Sequence, residues 1–155
     1  MSNGVRYDSL LVRYLAAELD ALLGGRVLRA LRLDGGSRTA TLAFRRGVLI
    51  WDLHPSSGVV RWLEDERVAA PPGVAVIEPP RGARTARVSA PPDERLLHID
   101  LLPPAAAEPE SSPSDGARAD SLARIVIELL TNHWNVLALD ARGRILGVLW
   151  PRVAA

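Results

Sequence analysis

Apolar residues recur at helical spacing over residues 8–25, "DSLLVRYLAAELDALLGG". Leu11, Leu15, Leu19 and Leu22 form one stripe, the mark of an amphipathic helix. Asp8 or Ser9 can cap its start by accepting a backbone N–H bond. Gly24 and Gly25 end it, because glycine adopts the left-handed conformation at low cost. The period then shortens towards two. "RVLRALRL" (26–33), "TATLAFRR" (39–46), "GVLIWDLH" (47–54) and "VVRWLE" (59–64) read as four short antiparallel strands, with turns at 34–38 and 55–58. Two proline pairs in "AAPPGVAVIEPPRG" (69–82) exclude a regular helix there. "ARTARVSA" (83–90) and "ERLLHIDLL" (94–102) read as a strand pair around Pro91-Pro92-Asp93. "SLARIVIELL" (121–130), "WNVLALD" (134–140) and "RILGVLW" (144–150) complete the strands, with a hairpin turn at Asp140-Ala141-Arg142-Gly143. The fold expected is α+β: one N-terminal helix packed on an antiparallel β-sandwich or flattened barrel of eight or nine strands. Residues 1–155 read as one domain, with 103–119, rich in Pro, Ala, Ser and Glu, as a mobile surface loop.

Composition narrows the functional classes. With 48% hydrophobic residues, the 155-residue chain can bury a sizeable core. It has no cysteine, which removes disulfides, thiol nucleophiles and cysteine-ligated metal sites and fits a cytoplasmic setting. No signal peptide or membrane span is legible. Its 19 basic residues, all arginine, face 18 acidic ones, so no bulk electrostatic grip on nucleic acid is signalled. The arginine bias fits codon usage in a GC-rich genome; it also fits bidentate phosphate contacts.

No constellation spells out catalysis. His54, His98 and His133 are far apart and lack metal-ligand spacing, and no phosphate loop or nucleophile elbow is present. "PPDERLLHID" (91–100) is a salt-bridged strand face or a carboxylate–arginine pair offered to phosphate. Arg29, Arg32, Arg45, Arg46 and Arg61 form a basic patch if they share one sheet face, and otherwise an ordinary solvated face. Trp51, Trp62, Trp134 and Trp150 all fall in predicted strands, where packing explains them; stacking on a base requires an exposed ring beside an arginine.

Four segments, in order, resemble the N-terminal domain of the NFACT family, which includes fibronectin-binding-protein-A-like proteins and Rqc-type ribosome quality-control factors. They are "YDSLLVRYLAAELDALLGGRVLRALR" (7–32), "LIWDLHPSSGVVRW" (49–62), "GARTARVSAPPDERLLHIDL" (82–101) and "IELLTNHWNVLALDARGRILGVLW" (127–150). The resemblance implies a fold related to the N-terminal domain of formamidopyrimidine-DNA glycosylases. It also implies a non-enzymatic role in binding tRNA and the large ribosomal subunit. On it, Asp8 matches an early aspartate, and Glu94 and Arg95 match an Asp-Arg pair associated with tRNA engagement. Arg45 and Arg46 are expected as weaker phosphate contacts. His133 and Asn135 match a strand-bend His-x-Asn, expected to bond backbone at a bulge. The family's basic helical insert corresponds to 73–81, which cannot be helical. Ser2 and Asn3 stand where the glycosylases carry their proline nucleophile and glutamate, so base excision is not expected, and no metal or cofactor is implied. A protein-interaction or structural module of the same fold, having lost RNA binding, is the competing reading.

Overall fold

The computed structural model describes residues 7–54, 58–67, 69–104, 120–130 and 133–151. Helix α1 runs Ser9–Leu23. Asp8 caps it: extended backbone turns its Oδ1 to accept from the Leu11 N–H at 2.8 Å. At the other end the Gly24 N–H donates to the Asp20 carbonyl, and Gly25 takes a φ of 75°. The buried stripe is Val12, Ala16, Leu19 and Leu23. It is rotated from the leucine stripe expected: Leu15 and Leu22 only pack partly against the core.

Ten strands follow: β1 (Leu28–Asp34), β2 (Thr39–Phe44), β3 (Val48–Asp52), β4 (Val59–Leu63), β5 (Ala75–Ile77), β6 (Arg84–Ser89), β7 (Leu96–Leu102), β8 (Leu122–Leu130), β9 (His133–Asp140) and β10 (Ile145–Val148). They form two five-stranded antiparallel sheets, ordered β4-β3-β2-β1-β5 and β10-β9-β8-β7-β6. The sheets do not close into a barrel, so the sandwich alternative holds. The strand count exceeds the expected one by β5, which lies between the two proline pairs and adds to the edge of β1 through Leu31↔Ile77, Arg32↔Val76 and Leu33↔Ala75. An edge strand bonds on one side only, so flanking prolines are tolerated.

Cross-strand rows of apolar residues build the core. In the first sheet Leu31, Leu42 and Leu49 share one cross-strand row, and Leu33, Ala40 and Trp51 the next; all are buried. In the second, Leu97, Ile127 and Val136 form one row, and Ile99, Ile125 and Ala138 another. These rows and the inner stripe of α1 make one hydrophobic cluster. Helix α1 closes it over β6 and β7, where Asp20 accepts from the Val88 N–H at 2.6 Å. Most of the expected mobile loop, 105–119, lies outside the described residues. No helix among them is long and apolar enough to cross a membrane.

Candidate functional site

Strand direction gives the sandwich two ends. At the end where α1 begins, the Tyr7 ring meets the Trp134 indole edge-on, centroids 5.1 Å apart. Trp134 pairs with Leu129 across β8–β9, and the Leu129 N–H donates to the Arg95 carbonyl at 2.8 Å. Asp8 adjoins Tyr7, and Glu94 adjoins Arg95. Three residues singled out by the resemblance, with Asp8 and Glu94 86 positions apart, therefore lie at the same end of the sandwich, linked through Tyr7, Trp134 and Leu129. The turn carrying Glu94 is sharp: Asp93 takes a φ of 60°, and the Glu94 N–H points at the Pro91 carbonyl at 3.4 Å. That geometry presents the Glu94 side chain to solvent, with Arg95 half-buried beside it. The first sheet contributes Gly58, which lies directly against the Trp134 ring, and the exposed His54.

Arg45 and Arg46 are elsewhere. They are exposed in the β2–β3 turn at the opposite end, beyond the C-terminus of α1, and the 15-residue helix separates the two ends by about 22 Å. Arg26 organises that end. Its Nε donates to the Leu22 carbonyl at 2.7 Å, and its Nη1 reaches the Arg46 carbonyl and Glu64, both at 3.3 Å. Its guanidinium lies 4.7 Å from the Trp62 ring centroid. The Trp62 indole N–H and then Arg26 hold the Glu64 carboxyl below its ordinary pKa. The five arginines that would form a basic patch on a shared face are dispersed. Arg32 and Arg61 share one outer row of the first sheet through Thr41 and Ile50, while Arg29 sits at a β1–β2 register shift and Arg45 and Arg46 lie in the turn.

The His-x-Asn pair splits in role. Asn135 is buried; its Nδ2 donates to the Trp150 carbonyl, and its Oδ1 accepts from the Trp150 and Val136 N–H groups, each at 2.9 Å. Asn135 thus bonds three backbone groups. The bulge is not there: β8–β9 pairing is regular from Arg124↔Leu139 to Leu130↔His133, and the register shift lies between Leu122 and Arg124. His133 opens β9 with an exposed side chain.

Trp150 departs from the strand expected for it. Pro151 follows it, β10 ends at Val148, and the Trp150 ring remains 47% exposed. The Arg38 guanidinium lies 4.6 Å from its centroid. Arg38 belongs to the same rim, since its carbonyl accepts from the Leu53 N–H beside His54. Arg38 and Trp150 lie 112 positions apart, and no sequence motif pairs them. The signal was the proline after it, which removes a donor and ends the ladder.

Titratable groups elsewhere serve the scaffold. Asp140 is buried at the β9–β10 turn. Burial pushes its carboxyl up, but the N–H groups of Arg142 and Arg144 and the Arg144 guanidinium outweigh this and hold it below its ordinary pKa. His98, half-buried on β7, is pushed below its ordinary value by burial and then by Arg124. A cavity of about 220 Å³ opens on the outer face of the first sheet between Arg32, Thr41, Ile50 and the 69–74 segment. Among the described residues, no three His, Asp or Glu side chains gather as metal ligands.

No family model matches the chain, and no curated protein does. Solved structures do. The N-terminal domain of fibronectin-binding protein PavA from Streptococcus pneumoniae superposes with a TM-score of 0.68 at 16% identity, over 96% of this chain and 55% of that one. The N-terminal part of the fibronectin/fibrinogen-binding protein from Streptococcus suis gives 0.65 at 15%, over 96% and 55%. The fibrinogen-binding protein from Staphylococcus aureus gives 0.62 at 14%, over 96% and 52%. The fold is therefore that of the N-terminal domains of such proteins, and the chain spans about half the length of the structures it matches.

Proposed function

We propose that this chain is a non-enzymatic, cytoplasmic interaction domain of the NFACT N-terminal type, and that RNA, tRNA on the large ribosomal subunit in particular, is what its rim engages. The observation that supports the reading is that Asp8, Glu94 and Arg95 lie at the same end of the sandwich. Arg95 there supplies a fork-shaped donor for phosphate, and the Asp8 and Glu94 carboxylates can accept from sugar hydroxyls or base amino groups. Near-zero net charge then has a consequence: few phosphates are neutralised, so binding rests on a small number of placed contacts, with a shallow salt dependence.

The test is tRNA binding by wild type and Arg95→Ala across a salt series. We expect binding at low salt that Arg95→Ala weakens, with the log–log slope flatter by about one unit. Absence of binding at low salt would sink the RNA reading.

A protein partner is the second reading. It is favoured by the exposed apolar residues Leu10 and Tyr14 on α1, 59% and 65% exposed, and by the fibronectin- and fibrinogen-binding neighbours. A partner using that face would lose affinity on Tyr14→Ala and be indifferent to Arg95→Ala.

A further inference from the structure

We propose that Trp150 and Arg38 form a stacking platform for an unpaired base of single-stranded RNA. This rests on the RNA reading and names the form of RNA that the rim takes.

An arginine over a surface tryptophan is common by itself. Here both partners are held in place from outside the pair. The Trp150 backbone is pinned at its N–H and its carbonyl by the buried amide of Asn135, so an almost half-exposed ring projects from a fixed base. The Leu149 N–H adds a bond to the Val136 carbonyl at 2.9 Å. Arg38 sits at a φ of 55°, a left-handed conformation unfavourable for a residue with a long side chain. Its carbonyl is tied to the Leu53 N–H at 2.9 Å. Asp34 braces the same turn by accepting from the Gly36 and Ser37 N–H groups. Backbone strain and a buried asparagine together present a planar cation on a planar aromatic, at the protein's surface.

A base in a duplex offers its face only to its neighbours. An unpaired base can stack on an indole or a guanidinium plane, with the cation close to its phosphate. The position agrees. From Arg95 at the start of β7, through β8 and β9, to the β10 side carrying Trp150 is three strand spacings, about 14 Å. One short single strand can contact both.

The experiment is fluorescence anisotropy with labelled octauridylate, a blunt duplex of equal length and tRNA. The proteins are wild type, Trp150→Leu, Arg38→Lys and Arg95→Ala. Trp150→Leu removes an exposed ring and leaves the Asn135 bonds to backbone intact; Arg38→Lys keeps the charge and loses the plane. We expect wild type to take octauridylate in preference to the duplex. Both platform variants should weaken that binding roughly tenfold, within the range for one stacked base. Unchanged octauridylate binding in both variants overturns the platform. So does a wild type that takes tRNA but not octauridylate; in either case, loss of tRNA binding in Arg95→Ala leaves the RNA reading standing. A wild type that binds none of the three overturns both.

Discussion

Asn135 shows how much one buried amide can organise. It satisfies three backbone groups and fixes the chain after β10 against the start of β9. Asn135→Leu keeps the size and leaves those groups without their partner, part of the loss being recovered by water at the exposed Trp150 side. We expect a loss of about 2–4 kcal/mol in denaturant unfolding; a change under about 0.5 kcal/mol would mean the amide is not a brace. His98 sets a pH dependence. Its folded pKa lies below its ordinary value, through burial and then Arg124, with Asp100 and Glu94 opposing. The unfolded chain therefore binds the proton more readily. Stability should be full above about pH 6.5 and fall as pH drops through the depressed folded value. Unfolding free energy measured between about pH 7 and 5 should slope less in His98→Gln than in wild type; equal slopes would place the cause in other groups. The role of Asn135 was legible because a His-x-Asn resemblance pointed at it. That of His98 was not, since a histidine in an alternating strand gives no sign of which face is crowded.

At the scale of elements, periodicity carried most of the fold. Helix α1 is bounded within a residue or two by its cap and its glycines, and nine strands follow from alternation and turn residues. Two things escaped that reading. β5 is three residues long between proline pairs, too short for alternation to register; only pairing with β1 makes it a strand. The buried face of α1 was expected from the spacing of its leucines, whereas the face turned inward is Val12, Ala16, Leu19 and Leu23. Close approach explains Gly58. A methyl group there would overlap the Trp134 ring, which is 9% exposed and held by Tyr7. Gly58→Ala should cost about 1–3 kcal/mol and shift the tryptophan emission. Wild-type stability and emission in that variant would show that the β4 entry is not seated on Trp134.

The whole molecule separates two charged ends across one hydrophobic core. At one, Arg26 bonds backbone and packs on Trp62, with Arg45 and Arg46 exposed beside it. At the other, Asp8, Glu94 and Arg95 share a rim with Trp150 and Arg38. Asp8, Glu94 and Arg95 were singled out by resemblance, but their placement at one end and the pairing of Arg38 with Trp150 were not legible, because both depend on which strand ends coincide. Arg45 and Arg46, expected as weaker phosphate contacts beside Arg95, lie at the opposite end, about 22 Å away along the length of α1. The fold neighbours agree on the architecture and leave the choice of end to experiment. The most direct measurement is an amide chemical-shift map of the 16.7 kDa chain during a tRNA titration. The account predicts shifts at Asp8, Glu94, Arg95, Arg38 and Trp150, with Arg26, Arg45 and Arg46 unmoved. Shifts confined to the Arg26 end, or none at saturating tRNA, would contradict it.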